Sequence, residues 1–234
     1  MPKNLSPTKN NVLMRIKECD LPISCIVDVG VERATSELIA QFPDKFHHLF
    51  EPVSLFYDVI KQNYQKIDHE LYKMALSDKT GKLYCIVRAL RNDGVPTHGR
   101  LDAEPIPVDG KTIVSCSEVT VSRFDSVCED IADNYLLKLD VDGTEILVLN
   151  GIGDHLGRAS VIIIETTFTT ILERMTYIAA KGFQLVDIVD IVYYGNSLYQ
   201  CDLVFIRSNL IKEDFRPPIQ TFKPELWNNA VTRQ

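Results

Sequence analysis

Short apolar segments alternate with amphipathic stretches along most of the chain. The apolar segments have the length of strands and are rich in β-branched residues, whereas the stretches between them carry apolar residues at helical spacing. This alternation is typical of a mainly parallel β-sheet that is covered by helices. The pattern therefore predicts an α/β fold.

The predicted elements follow one another in a regular order. The predicted strands are residues 23–30, 47–52, 70–78, 135–143 and 160–167, followed by the segments FQLVDIVDIVYY and LYQCDLVFIR. The predicted helices are residues 35–42, 54–64, 144–152 and 170–181. The last two strands flank Gly195 and Asn196, which favour a hairpin turn. We therefore expect a doubly wound, Rossmann-like sheet of about seven strands, mainly parallel, that ends in an antiparallel hairpin.

The stretch between the third and fourth predicted strands interrupts this order. It holds a short strand at residues 82–88, a loop rich in Gly, Pro and Asp at residues 92–110, and an alternating segment at residues 111–121. The alternation suits an antiparallel ribbon with one face in water, and long loops in compact domains are often functional. We expect one domain over residues 1–234, with a core at about 24–207 and an inserted loop and β-ribbon at about 82–122.

Composition and charge limit the classes of partner. With 25 Lys and Arg against 32 Asp and Glu, the net charge is −7, which argues against nucleic acid as a partner. No apolar run approaches the roughly 18 residues that span a bilayer, and the N-terminal residues lack the apolar stretch of a signal peptide. The six cysteines form no C-x-x-C pair, which fits reduced thiols. We therefore expect no membrane span and a cytoplasmic location.

Chemistry-bearing residues stand where the first two strands end. Gly30 lets the backbone approach a ligand closely, and Asp28 can accept hydrogen bonds from an amino group. Glu51 follows Gly30 by 21 residues, close to the interval at which an acid binds the ribose hydroxyls in nucleoside-binding folds. A tight turn without a ligand and a surface acid are the alternatives. Together these residues favour a nucleoside site at the carboxyl ends of the strands.

The third strand ends in the turn ALSD. A polar side chain here, Ser77 or Asp78, could meet an adenine amino group while Leu76 packs on the ring. A turn that merely closes the strand explains the same residues equally well.

The segment LKLDVDGTE places two carboxyl groups on one side of an extended chain. Asp140 and Asp142 share that side because strand side chains repeat every second residue, and Glu165 ends the next predicted strand. Carboxylates at the end of an apolar strand are costly to bury unless a cation compensates them. The sulfonium of a cofactor, Lys138 or a divalent metal could do so, and a set of oxygen ligands suits Mg²⁺.

At this point the chain resembles the FkbM-type methyltransferases, a branch of the class I S-adenosylmethionine-dependent fold. The motifs that carry the resemblance are IVDVG, FEP, MALSDKTG, VSRFDSV, LLKLDVDGTEILVLNG, IIIE and CDLVFIR. They occur in the expected order between about residues 24 and 207. The most specific of them is the stretch from KLDVDGTE to LNG.

The resemblance implies S-adenosylmethionine as methyl donor and O-methylation of a small-molecule hydroxyl, often on a sugar. It implies that Asp28 and Gly30 hold the methionine end of the donor, Glu51 the ribose and Ser77 or Asp78 the adenine. Asp140, Asp142 and Glu165 would line the reaction centre. Our hypothesis is that these three acids bind Mg²⁺, which chelates the substrate hydroxyl. In the metal-free alternative an acid or a histidine acts as base, and His155 is the histidine nearest in sequence to the fourth strand.

The first loop departs from the family pattern. Ala34 stands where family members carry a second glycine, and Ala is strained if the loop needs a positive φ. A non-catalytic binding or scaffold protein that lost the cofactor is therefore an alternative. A nicotinamide-dependent dehydrogenase is another, but it should show G-x-G-x-x-G, and no glycine follows Gly30 until Gly81.

Overall fold

The computed structural model describes residues 7–91 and 93–215. Its strands are β1 (Cys25–Val29), β2 (Phe46–Phe50), β3 (His69–Tyr72), β4 (Ala75–Leu76), β5 (Gly81–Arg88), β6 (His98–Asp102), β7 (Ile113–Ser122), β8 (Tyr135–Leu139), β9 (Ala159–Thr167), β10 (Phe183–Tyr194) and β11 (Ser197–Arg207). Its helices are α1 (Lys9–Glu18), α2 (Ser36–Gln41), α3 (Tyr57–Asn63), α4 (Phe124–Val127), α5 (Glu145–Ile152) and α6 (Ile171–Ala180). Short 3₁₀ helices include Ser54–Phe56 and Gly153–Arg158.

The main sheet has seven strands in the order β10-β11-β9-β8-β1-β2-β3. The strands from β9 to β3 are parallel, whereas β11 runs antiparallel to both β9 and β10. The chain reverses its direction of travel across the sheet between β1 and β8, and ligands of open α/β sheets bind outside the carboxyl ends at such a point. The predicted α/β fold with its closing hairpin is confirmed.

Both faces of the sheet are buried. Strands β1 and β8 are buried at every position, which explains why they read as continuous apolar runs. Helix α1 packs on one face through Val12, Leu13 and Ile16, and helices α5 and α6 cover the other. No helix was predicted for this N-terminal segment, because the apolar residues of α1 occupy a narrow stripe among polar and charged ones.

The inserted region forms a second sheet of four strands in the order β4-β7-β5-β6. Two expectations about it are wrong. The predicted strand at residues 70–78 breaks at Lys73, so that β3 joins the main sheet and β4 the second one. The predicted loop at residues 92–110 contains β6, which pairs antiparallel with β5. The sequence of β6, HGRLD, is too polar and too short to stand out as a strand.

The fourth predicted strand ends earlier than expected. It was predicted to run to residue 143, but β8 stops at Leu139. Asp142 and Gly143 have φ values of 48° and 98°, and a backbone with positive φ cannot continue a strand. The chain therefore leaves the sheet just before the acidic turn.

The structure tests the expectations on membrane spans, cellular location and domain extent only in part. Within the described ranges, no helix combines the length and apolarity that crossing a bilayer requires. The cytoplasmic location and the extent of a single domain over residues 1–234 stay predictions.

Candidate functional site

A cavity of about 290 Å³ lies at the carboxyl ends of β1, β2, β8 and β9. The second sheet closes one side of it with residues of β5 and β6. The volume is near the lower end of the range for small-molecule sites, roughly 300–1,000 Å³. The acidic residues that line the cavity are Glu32, Glu51, Asp140, Asp142 and Glu165.

The structure brings together five of the eight predicted site residues. The cavity wall contains Gly30, Glu51, Asp140, Asp142 and Glu165. The remaining three lie outside the lining and are described below.

Gly30 is required by the packing of the protein itself. Its φ is +80°, and a Cβ added there would lie 1.8 Å from the carbonyl oxygen of Asp140. Its N–H donates to the Phe50 carbonyl at 3.0 Å. The glycine was predicted to allow the approach of a ligand, whereas the closest group is the backbone at the end of β8.

Asp28 is buried beneath the cavity. Lys138 Nζ lies 3.2 Å from Asp28 Oδ1, and the Tyr64 hydroxyl donates to Asp28 Oδ2 at 3.3 Å. The same ammonium lies 3.5 Å from Asp140 Oδ2 and donates to the Gly30 carbonyl at 2.7 Å. Lys138, one of the three compensating cations considered from the sequence, is therefore in contact with two of the carboxyl groups.

The environment of Lys138 keeps its side chain charged. Burial works to lower the pKa of this lysine, but the carboxylates of Asp28 and Asp140 outweigh burial and raise the pKa above its usual value. A permanently positive group therefore stands between β1 and β8.

Glu165 lies beside Asp140 in the cavity wall. The Gln200 amide donates to Glu165 Oε1 at 2.6 Å. Burial, reinforced by the charges of Asp140 and Asp202, raises the pKa of Glu165 to about 8. This carboxyl group therefore exchanges its proton near neutral pH.

Glu51 is 4% exposed and accepts two backbone hydrogen bonds. The Glu32 N–H donates to Oε2 and the Val53 N–H donates to Oε1, both at 2.8 Å. Burial raises the pKa of Glu51 to about 7, although the two N–H donors and Lys138 act against the rise. The carboxylate is fixed in position, and each of its oxygens keeps an acceptor site for a ligand.

Asp142 joins the acidic turn to the second sheet. Its Oδ2 accepts the Gly99 N–H at 2.9 Å, and burial raises the pKa of the carboxyl group. The neighbouring residue His98 lines the cavity. No role was predicted for His98, because β6 could not be recognised from the sequence as a strand that faces the site.

His155, the histidine nearest in sequence to the fourth predicted strand, does not line the cavity. It lies on the 3₁₀ helix Gly153–Arg158, and its ring contacts the Phe124 ring edge-on at 6.4 Å between centroids. Its place in the packing fits a structural role.

The loop after β1 carries its strain at Glu32 and not at Ala34. Glu32 has a φ of 53°, whereas Ala34 is not among the described residues with positive φ. Burial raises the pKa of Glu32, and the nearby Arg33 guanidinium opposes the rise. The alanine in this loop therefore causes no backbone strain.

Ser77 and Asp78 lie outside the cavity lining and hold the turn after β4. The Ser77 hydroxyl donates to Asp78 Oδ1 at 3.2 Å, and its N–H donates to the Ser122 carbonyl. The Asp78 carbonyl accepts a bond from Arg123 at 2.9 Å. Their neighbour Leu76 does line the cavity. The predicted contact of Ser77 or Asp78 with adenine stays a prediction.

The three acids predicted to bind Mg²⁺ do not form a metal site. In the part of the chain that the structure describes, no group of three or more His, Cys, Asp or Glu side chains is arranged to hold a metal ion. Lys138 pairs with Asp140, Gly99 binds Asp142 and Gln200 binds Glu165. Each of the three carboxyl groups has a partner within the protein, and the described side chains do not present the converging ligands that Mg²⁺ requires, so Mg²⁺ does not fit.

Comparison with known proteins gives one family match. The family model described as "Methyltransferase FkbM domain" matches residues 25–185, a range that holds all eight predicted site residues. A search of curated protein sequences finds no match.

Several solved structures are similar to the chain at low identity. Precorrin-6y C5,15-methyltransferase from Geobacter metallireducens GS-15 is 10% identical, with 84% of each chain covered and a TM-score of 0.45. Magnesium protoporphyrin IX methyltransferase from Synechocystis PCC 6803, with bound SAM, is 10% identical, with 85% of this chain and 77% of that chain covered and a TM-score of 0.47. Ribosomal protein L11 methylase from Lactobacillus delbrueckii subsp. bulgaricus is 12% identical, with coverage of 84% and 77% and a TM-score of 0.44. These values are too low for any of the three to inform the site.

Proposed function

The chain belongs to the FkbM methyltransferase domain family, and we propose that it transfers a methyl group from S-adenosylmethionine to a hydroxyl of a small molecule, a sugar or glycan precursor. The observation that carries this proposal is the cavity at the reversal point of the sheet, where Gly30, Glu51 and Asp140 meet. In an open α/β sheet this is the place for a nucleoside ligand.

The walls of the cavity suit the parts of the donor. The Glu51 carboxylate can accept from both hydroxyls of a ribose, because each oxygen has a free acceptor site beside its backbone bond. Phe50, Met74 and Leu76 provide an apolar surface for a flat base. The donor therefore fits along the edge formed by the ends of β1 and β2.

The charge of the cavity supports a cationic ligand. Five carboxyl groups line it, and no Lys or Arg is among the described lining residues. The buried Lys138 lies 3.5 Å from Asp140 Oδ2, whereas each of the other carboxyl groups adds negative charge when it ionises. A sulfonium next to Asp140 would gain attraction that an uncharged thioether would not.

The reaction requires alignment and the removal of one proton. The donor, when bound, supplies a methyl group on a sulfonium, so that a C–O bond forms while the C–S bond breaks and its electron pair stays on sulfur. Glu165 is our candidate for the base that accepts the hydroxyl proton, since its carboxyl group lies in the wall and changes protonation near neutral pH. Gln200 fixes that carboxyl group in place.

Methyl transfer from labelled S-adenosylmethionine to a panel of neutral sugars and their amine analogues tests the proposal. We expect transfer to a hydroxyl, undiminished by excess EDTA because no metal site is present among the described residues. Glu165→Gln should lower turnover at saturating donor by roughly 10²–10⁴-fold. His155→Gln is the matched control and should leave turnover unchanged. Transfer to amines alone, or full activity of Glu165→Gln, would contradict the proposal.

The two alternative functions considered from the sequence, a scaffold and an oxidoreductase, are no longer favoured. The scaffold hypothesis rested on strain at Ala34, and that residue has no positive φ. The nicotinamide-dependent oxidoreductase is disfavoured by the family match. Titration with S-adenosylmethionine separates enzyme from scaffold, because a scaffold that lost the cofactor gives no heat.

A further inference from the structure

Three carboxyl groups stand side by side across the main sheet. Asp140 follows directly after Leu139, which pairs with Ile164, so that Asp140 stands next to Glu165. Glu165 pairs in turn with Asp202 on β11. We call Asp140, Glu165 and Asp202 the carboxyl row. Its first two members line the cavity, and Asp202 is not among the lining residues.

A lysine from a distant part of the chain closes the far end of this row. Lys9, the first residue of α1, places its Nζ 2.7 Å from Asp202 Oδ2. The two side chains are 13% and 9% exposed. The Lys9 N–H also donates to Asp190 Oδ1 at 3.1 Å, and Lys9 Nζ lies 3.7 Å from Asp190 Oδ2. The row is thus bounded by Lys138 at one end and Lys9 at the other.

The Lys9–Asp202 ion pair is one of several contacts that attach α1. Val12, Leu13 and Ile16 bury the apolar stripe of the helix, and Arg15 forms a second ion pair with Asp187 of β10 at 2.8 Å. A nearly buried ion pair gains little stability over an apolar pair of similar volume, because both ions lose their hydration. Because Asp202 pairs with Glu165 across the sheet, the ion pair is placed to affect the charge of the cavity wall.

We propose that Lys9 is a positioning residue that acts through Asp202 and sets the net charge of the cavity's acidic wall. In this way it tunes how strongly the protein prefers its cationic methyl donor to the uncharged product. This inference rests on the proposed function, because it takes the sulfonium to lie near Asp140. A lower affinity for the uncharged product would favour its release after each methyl transfer.

The expected size of the effect follows from the geometry of the sheet. Neighbouring strands lie about 4.8 Å apart, so Asp202 is roughly 10 Å from Asp140 across β9. At this distance one charge in a partly buried site changes the affinity for a cation by roughly three- to tenfold. The affinity for a neutral ligand of the same shape should change far less.

The ratio of two dissociation constants tests the inference. S-adenosylmethionine and S-adenosylhomocysteine are titrated separately into the full chain, and the donor-to-product ratio of dissociation constants is compared between variants. Asp202→Asn removes one negative charge from the carboxyl row and leaves Lys9 in place, so the ratio should rise roughly three- to tenfold. The double variant Lys9→Met/Asp202→Asn removes both charges and should restore the original ratio.

Arg15→Met is the matched control, since it also removes an ion pair between α1 and the hairpin but does not touch the carboxyl row. It should leave the ratio unchanged even if it lowers the melting temperature. An unchanged ratio in Asp202→Asn, a shifted ratio in Arg15→Met, or a double variant that behaves like Asp202→Asn would overturn the inference. If the unmodified chain binds neither ligand, the proposed function itself fails, which is a distinguishable result.

Discussion

Lys138 Nζ lies 3.2 Å from Asp28 Oδ1, and neither side chain is exposed by more than 5%. The two residues occupy paired positions on the neighbouring strands β1 and β8. Lys138 extends from there to Asp140 and to the Gly30 carbonyl, so one ammonium connects the ends of both strands. This contact fixes the edge of the sheet on which the cavity is built.

Loss of Lys138 should strongly destabilise the protein. Lys138→Met leaves Asp28 as a buried carboxylate with no cation beside it, which costs about 3–5 kcal/mol of unfolding free energy. Adding Asp28→Asn should recover part of this loss, because the uncompensated charge is then gone. Chemical denaturation measures both values. Lys82→Met, which breaks the exposed pair with Glu118, is the control and should change little. Equal effects of the two lysine substitutions would be inconsistent with this role.

Gly30→Ala should destabilise the protein more than the same substitution at another glycine of similar φ. Gly30 and Gly182 have φ values of +80° and +88°, but a Cβ at Gly182 meets nothing within 4 Å. Gly182→Ala should therefore cost only the strain of the left-handed backbone, about 1 kcal/mol. Gly30→Ala adds a collision with the Asp140 carbonyl and should lower the melting temperature several times more. Thermal melts of both variants measure the two shifts in melting temperature. Similar shifts would contradict the predicted collision of a Cβ at position 30 with the Asp140 carbonyl.

Glu51 should make stability fall as the pH rises from about 4.5 to 7. Burial raises the pKa of folded Glu51 from 4.5 to about 7, so between these values the folded protein keeps a proton that the unfolded chain has released. The contribution is complete below pH 4.5 and is lost as the pH rises through 7. It amounts to roughly 3 kcal/mol at most.

The slope of unfolding free energy against pH checks this expectation. Glu51→Gln should flatten the slope in that window, whereas Glu104→Gln on the surface should leave it unchanged. The slopes are compared instead of the absolute free energies because Gln has one acceptor oxygen where Glu51 has two. One of the backbone N–H groups of Glu32 and Val53 therefore loses its partner in Glu51→Gln at every pH. A slope that is the same in both variants would mean that Glu51 is not buried as described.

Substitution by glycine should stabilise the protein at position 32 and not at position 34. Glu32 has a φ of 53°, which an L-residue adopts at a cost of roughly 1 kcal/mol, so Glu32→Gly should stabilise the protein. Ala34 has no such strain, and Ala34→Gly should destabilise it slightly through the entropy of the unfolded chain. Denaturation midpoints test both signs. The family pattern alone would have suggested the opposite choice of position.

Much of the fold could be predicted because the parallel strands are buried on both faces. Segments such as Cys25–Val29 and Tyr135–Leu139 contain mostly apolar residues, and their positions were predicted to within a few residues. The convergence of Gly30, Glu51 and Asp140 followed from the same principle, since the carboxyl ends of parallel strands meet at one edge.

The remaining parts of the site depend on contacts that local sequence does not reveal. Among the described strands β6 pairs with β5 alone, and it is polar, so no periodicity marked it or its residue His98. The contact of Lys9 with Asp202 joins the first described helix to the last strand, and only the three-dimensional packing brings them together. Lys138 could be suggested from sequence because it precedes Asp140 by two residues, but its contact with Asp28 required the pairing of β1 with β8.

A crystal structure of the protein with S-adenosylhomocysteine tests the central claim most directly. We predict that the ribose hydroxyls lie within hydrogen-bonding distance of the Glu51 carboxylate, with the sulfur near Asp140 and the base against Leu76. A ligand bound elsewhere on the protein, or one whose ribose does not contact Glu51, would contradict the account.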